Sequence, residues 1–385
     1  MSGRLLRLAC TAVMTAGIAF APVPAVAEPA PPAPGRRSVA ELLTELQGLY
    51  REAEKATEAF NGTEEKLIRQ RAKVQRLETE LARARLSLRD GRGAAGRLAR
   101  QQYRNGGDLS PYLRLLLSRD PQHALDQGHV IGQLARERAE TVGRLAGHER
   151  RTDDLARRAR EALDEQVALA ARQKRERDGV RIRLHAVEEL LASLSAAQLA
   201  ELAAVEEDGV AEAQERFMAS GALGDDGRPT AEGDRAVRFA VEQLGKPYEW
   251  GAEGPASYDC SGLTSVAWQR AGTPIPRTSQ EQWARLEHVP LDELRPGDLV
   301  VYFPEATHVA MYLGDGMVVQ APRPGAAVKV SPIAANPVLG AVRPDPGGEP
   351  LRRYAPPELP EGATAGSDEG YAAAYAPAAP ETSIR

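Results

Sequence analysis

DLVVYFPEATHVAMYLGDGMVVQA, residues 298–321, decides the fold. It holds three short apolar runs, 298–303, 308–313 and 317–321, with turn residues between them, and 327–330 adds a fourth. Short β-branched and aromatic runs with that punctuation read as strands. Two helical patterns precede them: AVRFAVEQLG at 236–245 is amphipathic, and CSGLTSVAWQRAG at 260–272 follows, each closing on Gly. Helices segregated ahead of an antiparallel sheet predict an α+β domain over residues 231–345.

Outward from this globule the chemistry changes. Residues 220–230, SGALGDDGRPT, read as a linker, and from residue 346 Pro, Gly, Ala and Glu take over without period, which predicts a disordered tail over 346–385. On the N-terminal side, apolar residues alternate three and four apart: Val39, Leu42, Leu46, Leu49, Ala53, Ala56, Phe60, then Leu67, Val74, Leu77, Leu81, Ala84 and Leu88. Only Thr63 and Gln70 interrupt this seam, the signature of a coiled coil. Asn105-Gly106-Gly107 stops the first helix, 111–126 is a short apolar patch, and a second charged helix is expected from about 130 to 219. Two arms of similar length around a break favour an antiparallel hairpin over 38–219 rather than a parallel homodimer.

Arg4 and Arg7, the apolar run 8–20 and the small-residue site Ala25-Val26-Ala27 form a secretory signal pattern over residues 1–27. The expected location is therefore outside the cell or in its wall. Net charge of −5 and a pI near 5.9 give no reason to expect nucleic acid. Six histidines without ligand spacing and two cysteines give no metal site, and no cofactor is expected.

Removal of the leader takes Cys10 with it and leaves Cys260 as the one remaining cysteine, in a compartment where structural cysteines pair. A sulfur at the start of the 260–272 helix would meet unpaired backbone N–H groups and the positive dipole end, which stabilise the nucleophilic thiolate. A buried, inert thiol is the other reading. A base is needed. His288 sits in polar LEHVP and belongs on the surface, whereas His308, Ala310 and Tyr312 share one strand face opposite an aliphatic one. Gln320 is the candidate orienting group. A three-residue turn at 314–316 would pair Leu313 with Met317 and Ala310 with Gln320, putting Gln320 diagonal to His308, whereas a two-residue turn would send it to the far face.

DCSGL, PRTSQ (276–280), RPGDLV (295–300), HVAMYLG and VVQAP, in this order, resemble the NlpC family of papain-like cell-wall cysteine peptidases, over roughly 30% of the chain. The resemblance implies Cys260 as nucleophile, His308 as base and Gln320 as third member, a neutral choice where some relatives are acidic. It implies Tyr248 as an oxyanion donor, and Asp259 and Ser261 as substrate contacts; Arg277 and Ser279 resemble a motif near the groove. It further implies a peptidoglycan hydrolase cutting stem peptides between γ-D-glutamate and the diamino acid, in cell separation or wall remodelling. The alternatives are a coiled-coil adaptor or regulator of wall enzymes and an N-acetylmuramoyl-L-alanine amidase. The hairpin is similar to those of divisome-associated hydrolases, which implies a membrane partner of FtsX type at the apolar tip, Tyr112 to Leu117. A helix is then expected to cover the Cys260 groove until docking frees it.

Overall fold

The computed structural model describes residues 38–105, 121–224 and 227–366. The leader at 1–27, the tip from Tyr112 to Leu117 and residues 367–385 lie outside the described residues. Among the described residues, no helix is long and apolar enough to cross a membrane.

Helix α1 (Val39–Asn105) starts on a reciprocal cap. The Glu41 N–H donates to Ser38 Oγ at 3.2 Å, and the Ser38 N–H to Glu41 Oε2 at 2.8 Å. At 67 residues α1 is about 100 Å long. It pairs with α2 (Pro121–Ala192). Val74, Leu77, Leu81 and Ala84 pack with Leu155 and Ala162, while Leu46 and Tyr50 pack with Val187 and Leu191. Numbers falling along α1 meet numbers rising along α2, so the pair is an antiparallel hairpin. The interrupting residues of the seam are buried, and Gln70 Nε2 donates to the Ala162 carbonyl at 2.7 Å.

The expected single helix over 130–219 is corrected. α2 already starts at Pro121, and the chain breaks at 193–195 before α3 (Ala196–Ala219). Ser195 and Gln198 form a capping box there, which favours a fresh helix start over continuation. α3 turns back onto the sheet of the globule: Gln214 Nε2 donates to the Gly316 carbonyl at 3.0 Å, and Phe217 packs into the apolar cluster around Tyr302, Ala310 and Tyr312.

The globule carries α4 (Ala231–Val241), α5 (Cys260–Ala271) and α6 (Ser279–Arg285) ahead of all six of its strands. The strands are β1 (Glu287–Val289), β2 (Leu299–Tyr302), β3 (His308–Gly314), β4 (Met317–Gln320), β5 (Lys329–Pro332) and β6 (Val338–Arg343). They form one antiparallel sheet in the order β1-β6-β2-β3-β4-β5, so the α+β expectation holds. β1 and β6 were not legible as strands. Val309 and Met311 face the α4–α5 core with Leu263 and Trp268, while Ala310 and Tyr312 face α3.

Two further expectations change. The linker is stitched down: the Gly227 N–H donates to the Leu294 carbonyl at 3.0 Å, and Thr230 caps α4. Residues 346–366 are not a free tail. The Leu351 N–H reaches the Pro229 carbonyl at 2.8 Å, and the Val330 N–H reaches the Ala363 carbonyl at 2.9 Å, along edge strand β5. Backbone hydrogen bonds to a sheet edge need no apolar period, so composition did not reveal them.

Candidate active site

Cys260 is the first residue of α5, whose N-cap, Asp259, accepts from the Gly262 N–H at 2.6 Å. A side chain at Gly262 would collide with the Ala252 carbonyl, which accounts for glycine in the DCSG stretch. α5 packs on β3, and the Val309 N–H hydrogen-bonds the Cys260 sulfur. Candidate nucleophile and candidate base are thereby brought to one end of the sheet.

His308 and Gln320 meet as expected, with Nε2 to Oε1 at 2.7 Å. The turn that achieves this is different. Asp315-Gly316 is a two-residue turn with φ of +53° and +68°, and Met317 pairs with Gly314 rather than Leu313. A bulge between Tyr312 and Gly314 absorbs the extra residue and restores Met311↔Val319, so Gln320 returns to the His308 side. Gln320 Nε2 donates to Ser331 Oγ at 2.8 Å, which leaves its amide oxygen for the imidazole. Nε2 of His308 therefore carries the proton and Nδ1 the lone pair. Burial is the main cause that lowers the His308 pKa to about 4, so the ring is neutral at physiological pH. Tyr248 is buried near Cys260, and burial is the largest cause raising its phenol well above its usual range. It stays protonated, a donor.

The remaining expected residues cluster beside Cys260. Asp259 accepts from both guanidinium arms of Arg277, at 3.0 and 2.7 Å, and from the Gly251 N–H at 2.9 Å. It is wholly buried and organises the groove wall. Arg277 also donates to Ser261 Oγ at 2.9 Å and pairs with Glu253. Ser279 Oγ lies 2.7 Å from the Ala306 carbonyl. His288 is exposed in β1, as expected.

What the residue pattern did not reveal is the occupant of this groove. α1 lies along it. Glu58 is buried, and its carboxylate accepts from Ser261 Oγ at 2.9 Å and the Ser279 N–H at 2.8 Å, with Ser279 Oγ 3.0 Å away. Asn61 Nδ2 donates to Asp259 Oδ2 at 3.0 Å, and Glu54 Oε1 stands 3.7 Å from His308 Nδ1. Phe60 meets Trp250 edge-on at 4.9 Å, and Tyr50 covers the Arg323 guanidinium, also at 4.9 Å. The covering helix expected from the resemblance is thus α1.

This occupant reverses one expectation. Cys260 holds the helix-start position that favours a thiolate, yet its pKa is raised well above the usual thiol value. Burial is the largest cause, followed by the carboxylates of Glu58, Asp259 and Glu54. Two of those three carboxylates come from α1. With α1 seated, Cys260 is a neutral thiol.

Glu58 itself is pushed up to about 7, first by burial and then by Asp259, against the opposing pull of Arg277. A carboxyl whose pKa is higher seated than free stabilises seating most below its free value near 4.5, and that contribution fades as pH rises toward 7. Raising pH from about 5 to 8 should therefore loosen α1. Trp250, released from Phe60, should shift its emission to the red across that range. Glu58→Gln, which mimics the protonated acid, should remove the shift; an identical shift in the variant would rule out Glu58 as its source.

Residues 245–340 match the model of the NlpC/P60 family. A probable endopeptidase of Corynebacterium glutamicum is 47% identical over 89 residues, 23% of this chain and 43% of that protein. A probable endopeptidase of Mycobacterium tuberculosis is 39% identical over 116 residues, 29% of this chain and 30% of that protein. The crystal structure of an NlpC/P60 family protein from Bacillus cereus shares 31% identity across 30% of this chain and 41% of that chain, with a TM-score of 0.28. The matches thus span less than half the length of each of these proteins. The stretch that carries Tyr248, Cys260, His308 and Gln320 is an NlpC/P60 domain.

Proposed function

We propose that the chain is a secreted peptidoglycan hydrolase, a cysteine endopeptidase that cuts stem peptides between γ-D-glutamate and the diamino acid, and that α1 holds it shut. The observation that carries this reading is the seat taken by Glu58. Ser261, the residue after the nucleophile, and Ser279 both grip a carboxylate beside Cys260. A γ-linked D-glutamate offers a free α-carboxylate a few bonds from its scissile carbonyl. The lactyl carbonyl cut by an amidase has no such neighbour, so the seat favours the endopeptidase.

With the groove open, His308 Nδ1 takes the Cys260 proton and the thiolate attacks the γ-carbonyl. Tyr248 and the Cys260 backbone N–H donate to the developing oxyanion. The imidazolium returns its proton to the departing amine, and water, deprotonated by His308, frees the acyl group from sulfur. No cofactor enters. A membrane partner at the distal end of the hairpin, the FtsX-type role, would free the groove by moving α1, and cell separation is the process this would serve.

Gln320 acts by holding the imidazole. Gln320→Ala should lower kcat/KM by about 10- to 100-fold and move the pH profile, since the tautomer is then unset. Unchanged kinetics would exclude that role. Mass spectrometry of digested muropeptides tests the reaction itself. The expected products are a stem ending in D-glutamate and a fragment with a new amine on the diamino acid. A free L-Ala amine on intact stems would indicate the amidase, and no fragments from any opened form would indicate an adaptor.

A further inference from the structure

The distal half of α1 differs in charge from the rest of the chain. Residues 83–104 hold seven arginines, no lysine and one acid, Asp90, a net +6 in a chain whose formal charge is −5. The groove-covering half, 39–82, carries nine acids against seven bases. The stretch of α2 alongside, 133–154, balances five arginines with five acids, so it does not neutralise the excess. With Leu81, Ala84 and Leu88 buried at the a and d positions of the heptad, Arg83, Arg89, Arg97, Arg100 and Arg104 fall at b, c and f. All five are exposed, on the side of α1 turned from α2.

Among the described residues, one of the seven arginines is paired, Arg92 with Glu149 at 3.2 Å on the flank. Elsewhere on the hairpin an exposed arginine meets an acid one turn away, as Arg69 meets Glu65 and Arg172 meets Glu176. Here the neighbour one turn away is another arginine: Arg85 precedes Arg89, and Arg100 precedes Arg104. Like charges at that spacing weaken a helix in water, and an anionic surface offsets the repulsion. Guanidinium forks grip phosphate oxygens two at a time, which suits arginine throughout and no lysine. Two apolar side chains share the face: Leu86 is 59% exposed and Tyr103 89%. A soluble polyanion would leave both in water, whereas a headgroup layer gives an aromatic with a polar tip its preferred depth. The stripe is about 32 Å long and straight, so a flat surface can meet all of it, and it starts about 38 Å along the helix from Glu58, clear of the groove.

We propose that the outer face of α1 over 83–104 docks on an anionic phospholipid bilayer, its arginines on headgroup phosphates and Leu86 and Tyr103 in the headgroup layer. This is independent of which peptide bond is cut. The test uses the full chain prepared without residues 1–27, whose apolar run would itself bind lipid. It is co-sedimented with vesicles of phosphatidylcholine alone, or with about three parts in ten of phosphatidylglycerol. Binding should require the phosphatidylglycerol and fall steeply as salt is raised. Arg89→Gln, Arg97→Gln, Arg100→Gln and Arg104→Gln together should weaken it at least about 100-fold, at roughly fivefold per charge. Lysine at the same four positions keeps the charge and should stay within about 10-fold of the parent. Circular dichroism should show equal helix in all three chains, since the changed side chains lie outside the seam. No binding to the anionic vesicles, or binding that survives the four glutamines, would overturn the proposal. So would capture of soluble polyphosphate with none of the vesicles, the result expected of a polyanion site.

Discussion

Replacing Cys260 with alanine in the opened chain should abolish stem-peptide hydrolysis, a loss on the order of 10⁵-fold or more. The size follows from the division of labour. A nucleophile and its base act as a unit, so what survives loss of either is the contribution of binding and oxyanion donors alone. The change should not disturb the fold, because the α5 cap runs through the Asp259 side chain and the Gly262 N–H and not through the sulfur. His308→Ala should fall to the same floor, and the double variant no lower. Rates of fragment release by high-performance chromatography check this. A Cys260→Ala protein retaining more than a few per cent of the opened rate would mean that another group attacks the carbonyl.

Opening the groove is the second large effect. Glu54→Ala with Glu58→Ala removes the hydrogen bonds from Ser261 Oγ and the Ser279 N–H that seat Glu58, and the carboxylate beside His308. Hydrogen bonds to a charged group contribute about 1.5–3 kcal/mol each in favourable cases. Part of that is cancelled here, because burial disfavours the ionised Glu58 and pushes its pKa to about 7. The net loss of seating should still raise turnover by the full chain at least about 10-fold, since each 1.4 kcal/mol is a factor of ten. Phe60 against Trp250 and Tyr50 over Arg323 remain in the double variant, so full opening should need one of these removed as well. Equal turnover by the parent chain and the double variant would contradict a shut groove.

Much of this was written in the chain and some was not. The two helical arms, α4, α5 and strands β2–β5 follow from apolar period and turn residues, and Cys260, His308 and Gln320 from the need of an unpaired thiol for a base and the base for an anchor. β1 escaped because its three residues, Glu287–Val289, are too few to show alternation, and β6 because Gly340 interrupts its apolar run and Pro337 precedes it; their pairing to one another is settled by distant partners. The bulge at Leu313 escaped because two turn lengths fit the GDG stretch, and only the sheet chose between them. The plug was the least legible part. Glu54 and Glu58 fall outside the heptad seam, where a glutamate ordinarily marks a solvated face. One clue was present: Thr57, Asn61, Gly62 and Thr63 are weak helix formers inside an otherwise unbroken helix of 67 residues. Their packing on the globule, with Thr57, Asn61 and Thr63 all buried, is what propensity alone could not convey.

Alkylation of Cys260 by iodoacetamide at pH 7 addresses the masked thiol without requiring any substrate. In a chain prepared without residues 1–27 Cys260 is the one cysteine, so the reading is unambiguous. With α1 seated, burial and the Glu58 and Glu54 carboxylates hold the sulfur as a neutral thiol, and modification should be slow. The Glu54→Ala, Glu58→Ala chain should react at least about 10-fold faster, as the helix-start position then governs the sulfur. Matching rates in the two chains, slow or fast, would contradict a nucleophile held in reserve by α1.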